Sequence, residues 1–427
     1  MRDDQPVSEA AAQAGLAHVA TASFLASRVV PTGGYAVALA GGVALARAAQ
    51  VAGMRAGYGA SLAAMLQAIA VLGPSRVSVP LTQALSAPLL GRLHVRGSRL
   101  TTQIGVCAAI RATDQALLTL FYIWIITGGV AAYAATYDAI AGRIPGVPDG
   151  PVAALAATAL VLVAWTAFAS VVQVLVYRAA LRGWPAEAAA ADAGAAPLAG
   201  GRAVAAGVGA EDDRPAPPCP RYDPRAVALA SVVAFCVLVA TTAWLVLGAV
   251  AAWLAIAWAT ARADRSPLRA GLALAALLAF GALVFGLIGG TGLDLTLQRT
   301  VRAGLLVLVA TWLRAAAGED GLREVARRSL RFARRVPAMG EASEILDRLG
   351  AGGALGASGR ALVAEVRHVS RSPSALAAAV LRWVATEAAR FRAASLAPAP
   401  DRLRAAWGDR ALVAAVIAAV AGAVVAG

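Results

Sequence analysis

Hydrophobic residues in this chain fall in long unbroken runs separated by short Arg-bearing stretches, and only toward the C-terminus do they recur at helical spacing. A spanning α-helix needs ~20 apolar residues. The clearest such runs are 114–135, 151–177, 270–289 and 411–427, with a shorter one at 300–313. The run 226–261 covers ~54 Å at ~1.5 Å per residue, too long for a single ~30 Å crossing. It predicts two helices turning near Thr241-Thr242. The first hundred residues offer four shorter segments, 14–30, 34–46, 58–73 and 78–91. They are interrupted by Arg47, Arg55, Gly73-Pro74, Pro80 and Pro88.

Arginine accumulates in cytoplasmic loops and so arbitrates the crossings. If all four early segments cross, Arg47 and Arg55 share a side with Arg92, Arg96, Arg99, Arg178 and Arg182. The loop 136–150, with Asp138 and Asp149, then lies opposite. The expectation is an all-α, polytopic bundle of about nine to eleven transmembrane helices, with cytoplasmic amphipathic coupling helices. About six short helices would occupy residues 1–185. The N-terminus, acidic where a secretory signal is basic, is expected to stay uncleaved and cytoplasmic in the cell inner membrane.

Composition strengthens this picture. The 427 residues are 59% hydrophobic and 15% charged, against about 45–50% and ~25% for soluble domains, and the mean hydropathy is +0.69. A soluble multidomain enzyme and extensive disorder are both excluded. The formal charge is +14, and every basic residue is Arg. Without Lys there is no P-loop lysine, no Schiff-base lysine and no kinase-type lysine, so ATP hydrolysis is expected elsewhere. Cys107, Cys219 and Cys236 lie far apart, as do His18, His94 and His368. Neither a disulfide framework nor a metal site follows, and no cofactor or catalytic residue is expected. A nucleic-acid partner is not expected either, because the positive-inside pattern accounts for the basic charge.

Residues 186–222, rich in Ala, Gly and Pro with an acidic Glu211-Asp212-Asp213 cluster, read as a cytoplasmic linker to a second membrane module at 223–427. In that module residues 318–393 are basic and amphipathic. Leu322, Val325, Leu330, Phe332, Val336 and Met339 alternate with arginines, Pro337 marks a break, and Gly350 to Gly359 forms a joint. A second helix is expected over about 361–393, interrupted at Ser372-Pro373. Such helices either lie on anionic headgroups or dock on acidic residues of a protein partner through the arginine fork.

The stretch from Tyr222 to the C-terminus resembles the T component (CbiQ-type transmembrane subunit) of energy-coupling-factor importers. The resemblance rests on Asp223-Pro224-Arg225 before the first helix and a tight helical pair. An Arg-bearing loop from Arg262 to Arg269 follows, then Gly292-Leu-Asp-Leu and Leu-Gln-Arg299-Thr-Val-Arg302, the basic helices and a last apolar helix at 411–427. It implies coupling helices that dock two ABC-type ATPase subunits through short Ala-Arg-Gly-like motifs. The nearest matches are Ala326-Arg327-Arg328, Ala333-Arg334-Arg335 and Ala389-Arg390-Phe391, none with the Gly. Arg327, Arg328, Arg334, Arg335 and Arg390 are thus the docking candidates. The N-terminal half is similar in size and topology to a substrate-binding S component, and a separate substrate-binding membrane subunit is the other partner implied. The implied cargo is a small molecule of the vitamin or metal-ion class.

Ionisable residues inside a span are costly and usually face a cavity or a partner. Arg111 and Asp114, three apart, share a helix face. The Pro-interrupted stretch 73–83 combines freed backbone carbonyls with polar side chains, which suits a cavity wall. Gln67, Arg76, Thr82, Gln83, Arg111 and Asp114 are accordingly the candidate substrate-binding residues. Two other readings compete: a membrane scaffold with a basic docking surface, and an integral-membrane lipid-modifying protein. The second lacks paired carboxylates within a span and any G-x-S-x-G.

Overall fold

The computed structural model describes residues 9–28, 34–74, 78–184, 222–261, 266–290, 292–333, 335–349, 352–368, 373–393 and 407–426. Among them every regular element is helical. The elements are α1 (Glu9–Ala26), α2 (Gly34–Leu72), α3 (Ser78–Val95), α4 (Leu100–Phe121, continued by a π-turn at Tyr122–Ile126), α5 (Val130–Ala141) and α6 (Gly150–Arg182). After them come α7 (Pro224–Ala240), α8 (Trp244–Thr260), α9 (Ser266–Ile288), α10 (Leu293–Phe332), α11 (Pro337–Arg348), α12 (Gly352–His368), α13 (Pro373–Ala393) and α14 (Trp407–Ala426). Among the described residues five segments are long and apolar enough to cross a membrane: Val37–Leu72, Leu100–Ile126, Gly150–Arg182, Pro267–Ile288 and Leu293–Phe332. Two shorter apolar helices, α7 and α8, stand beside them, where the sequence suggests nine to eleven crossings.

Several boundaries fall where the residue chemistry puts them. The break between α7 and α8 is at 241–243, as the length of the run requires. Asp223 caps α7, its Oδ1 accepting from Arg225 N at 2.8 Å with Pro224 in the first turn. The Asp-Pro-Arg opening thus has a local structural reason. Pro337 likewise opens α11.

Other boundaries differ. Segments 34–46 and 58–73 form one helix, α2, because Arg47 and Arg55 sit among good helix formers. The chain bends instead at Gly53 (φ 85°, ψ 178°), without a loop. The four early segments are therefore three helices. The run 114–135 is not one helix: it passes through the π-turn and breaks at Gly128 (φ 79°) and Gly129 (φ 121°). The segment 300–313 is the interior of the longer α10, which bends at Gly318. The Gly350 to Gly359 joint is helical from Gly352 onward. The linker 186–222 lies outside the described residues except for Tyr222.

The helices group into two compact units that do not follow the 1–185 and 223–427 division. One unit comprises Met1–Arg111, Ala167–Ala216 and Arg323–Asp401; the other comprises Ala112–Thr166, Pro217–Leu322 and Arg402–Gly427. In the first, α1 is central, buried throughout 13–27 and packed against α2, α11, α12 and α13. Leu355 of α12 packs with Ala22 and Leu25, and Leu362 with Ala26 and Val37. His18 stacks on Phe391 of α13 with centroids 3.9 Å apart. Its Nε2 lies 3.0 Å from Ser358 Oγ, and Ser358 donates to Glu387 Oε1 at 2.5 Å. Because the serine proton goes to Glu387, His18 Nε2–H donates to the serine. The set fastens α12 and α13 to α1; it is not a nucleophile paired with a base.

In the second unit, α14 packs against α7 and α8, and α9 packs against α5. Asp223 N donates to Asp409 Oδ1 at 2.6 Å, joining the start of α7 to α14. Large apolar side chains point outward from α9, among them Leu277 (66% exposed) and Phe280 (65%). Outward apolar side chains are what a helix apolar enough to cross a membrane would present to lipid.

Candidate functional site

A buried polar cluster lies inside the first unit, where α2, α3, α4 and α6 contribute Tyr35, Gln83 and Ser86, Cys107 and Arg111, and Gln173 and Tyr177. Spacing explains the grouping: Gln173 and Tyr177 are four apart on one face of α6, as are Cys107 and Arg111 on α4. Arg111 Nη2 donates to Gln173 Oε1 at 2.6 Å and to Tyr35 Oη at 3.2 Å. Tyr35 passes its own proton to the Ala169 carbonyl at 3.0 Å. Gln173 Nε2 donates to Ser86 Oγ at 2.7 Å, and Ser86 donates to the Thr82 carbonyl at 2.6 Å. Cys107 Sγ donates to Gln173 Oε1 at 3.4 Å, and Tyr177 Oη to Gln83 Oε1 at 2.5 Å.

Close helix approach makes the cluster possible. A Cβ at Gly42 of α2 would overlap the Tyr177 hydroxyl, so only glycine admits that ring. Arg111 is buried, its described partners are all neutral, and its Nε has no hydrogen-bond partner among the described residues. A buried guanidinium facing only amides and phenols retains capacity for an anionic or strongly accepting group. None of the described hydrogen-bond partners in the cluster is a carboxylate or an imidazole.

Of the residues expected at a substrate site, Gln83 and Arg111 meet in this cluster, and Thr82 joins through its carbonyl. Gln67 is fully buried on α2. Arg76 lies outside the described residues. Asp114 belongs to the stretch from Ala112 assigned to the second unit, and it accepts from Gln115 Nε2 at 3.4 Å. Tyr35, Ser86, Cys107, Gln173 and Tyr177 are the members that sequence reasoning missed. Gln173, the one amide in the apolar run 151–177, carried the available signal.

The expected docking arginines separate by environment. Arg327 is held by Glu324 Oε2 at 2.5 Å and Asp347 Oδ1 at 3.1 Å, and Arg328 by Glu324 Oε1 at 2.7 Å. Arg390 pairs with Glu387 Oε2 at 3.5 Å. Arg335 is exposed, beside Val336, while Arg334 is outside the described residues. Phe332, at the end of α10, is 91% exposed. Helix α11 also reaches the early helices directly: Arg55 Nε on α2 meets Glu341 Oε1 on α11 at 2.7 Å. Among the described residues no group of three or more His, Cys, Asp and Glu side chains is placed to hold a metal ion. No protein-family model matches this chain, and neither a curated protein nor a solved structure matches it significantly.

Proposed function

We propose that the chain is a multi-pass inner-membrane subunit of an energy-coupling-factor-type importer, driven by separate ABC-type ATPase subunits. The observation that carries this reading is a shared unit: Leu330 at the arginine-rich end of α10 shares a core with α1 and α2, α11–α13 pack on those same helices, and α2 also carries Tyr35 and Gly42 of the Arg111 cluster. Movement imposed on the arginine-rich helices reaches the polar cluster through packed helices, which is the physical requirement for coupling. The sequence resemblance over 222–427 supplies the identity of the driving partner. Five apolar helical segments supply the membrane part, with the linker and basic helices cytoplasmic.

The charge of Arg111 narrows the cargo. A buried cation repels a bare metal ion, so the vitamin-class alternative is favoured, with an anionic or hydrogen-bond-accepting group on the molecule. For docking, the exposed Phe332 and Arg335 replace the ion-paired arginines, an aromatic anchor beside a cation being a common binding hot spot.

The test is a detergent pull-down from the native host with partner identification. Wild type is expected to retain a P-loop ATPase, and the Phe332→Ala/Arg335→Glu variant to lose it while still inserting in the membrane. A wild-type sample that brings down no ATPase defeats the reading.

A further inference from the structure

Among the described residues of the second unit, Arg299 and Arg302 are the buried basic groups. They lie near the start of α10, one of the helices apolar enough to cross a membrane, and only 8% and 4% of their surfaces are exposed. Three apart, they share one helix face. Arg299 Nε, Arg302 Nε and Arg302 Nη2 have no hydrogen-bond partner among the described residues. The nearby carboxylate, Asp294, is engaged by Trp244 Nε1 at 2.7 Å and Gln298 Nε2 at 3.0 Å. Arg299 sets a like charge beside Arg302. Two buried like charges with no counter-ion among the described residues carry a desolvation cost that a bound anion would offset.

A second feature meets them. The Arg299 guanidinium lies against Gly128, where a Cβ would overlap it. Gly128 and Gly129 are the break after the π-turn, both in the left-handed region that favours glycine. Gly129 then opens the twelve-residue α5 with no side-chain cap. The first N–H groups of that helix lack intrahelical partners and carry the positive end of its dipole. A broken helix whose second half starts beside a buried arginine is an arrangement that receives anions.

We propose that Arg299, Arg302 and the Gly128-Gly129 turn form a binding site for a phosphate-type oxyanion, distinct from the Arg111 cluster and independent of the import reading. A phosphate group matches both the double positive charge and the fork geometry of guanidinium. It reaches the site either as a lipid headgroup or as a free ion.

The experiment uses delipidated full-length protein in detergent, with two probes: short-chain phosphatidic acid and inorganic phosphate. Binding is read by native mass spectrometry and by the thermal midpoint. The comparison is Arg299→Lys/Arg302→Lys, which keeps charge and length but loses the fork. Arg143→Gln, an exposed position, is the control. Wild type is expected to bind one probe at least about tenfold more tightly than the double-Lys variant, a difference of ~1.4 kcal/mol. Binding of inorganic phosphate identifies a free ion; binding of phosphatidic acid alone identifies a headgroup. Should the double variant elute abnormally, Arg302→Lys alone is expected to show a weakening in the same direction. Wild type that binds neither probe, or binds no more tightly than the double-Lys variant, overturns the site.

Discussion

At His18 the surroundings favour the neutral ring. Burial first, and the Arg390 charge second, lower its pKa from 6.5 to about 3. The groups facing it are Ser358, Glu387, Arg390 and Phe391. Because the folded pKa is depressed, the unfolded chain binds the proton more readily below pH 6.5. The stability associated with neutral His18 is therefore complete above pH 6.5 and lost as pH falls toward 3. At pH 5 this amounts to about 2 kcal/mol at ~1.4 kcal/mol per pH unit. The wild-type thermal midpoint should fall between pH 7 and pH 5, and His18→Gln should flatten that slope while lowering the midpoint at pH 7. Equal slopes in the two proteins would count against a buried neutral imidazole.

At the scale of elements, bends are encoded by glycine more than by loops. Gly53 in α2 and Gly318 in α10 share a backbone conformation open essentially to glycine alone (φ 85° and 70°, ψ 178° and 169°). Nothing lies within 4 Å of a Cβ at Gly53, so Gly53→Ala isolates the backbone cost. It should destabilise by about 1–3 kcal/mol. Gly105→Ala, equally open but within regular α4, should leave stability unchanged or raise it by up to ~1 kcal/mol. Chemical denaturation of the two variants in one detergent checks the contrast.

Such bends explain what the sequence disclosed at this scale. The α7–α8 turn was legible because a run that long exceeds one crossing, and α11 began where Pro337 required. The bend at Gly53 was not, since one glycine among alanines does not distinguish a kink from a continuous helix. The Gly128-Gly129 break hid inside an apolar run that looked like a single span. The Arg111 cluster was half legible: Arg111 and Gln83 announced themselves by polarity, while nothing in the sequence singled out Tyr35 or Tyr177, whose ring lies where Gly42 leaves room.

For the whole molecule, chain order and compactness disagree, and α1 shows why the sequence concealed this. A helix apolar on every face reads the same whether lipid or protein surrounds it. Yet α1 also buries Gln13, His18, Thr21 and Ser23, groups that lipid serves poorly. Part of their cover comes from α2, where the Ala64 carbonyl accepts from Thr21, and part from residues more than three hundred positions away. Gly15 approaches the Ala388 carbonyl, and Leu355, Leu362 and Phe391 close over the helix. Burying those three large side chains contributes about 5–9 kcal/mol in gross terms, comparable with the ~5–15 kcal/mol net stability of an ordinary domain. Residues 1–185 expressed alone should therefore fail to give a monodisperse species in detergent. Co-expression with residues 223–427 should restore one, because α11–α13 can then dock on α1 and α2 without a covalent link. A folded, monodisperse 1–185 fragment with the thermal midpoint of the full chain would show instead that the early helices are self-sufficient. The basic helices would then be an appendage, and the mechanical connection from the arginine-rich helices to the Arg111 cluster would be lost.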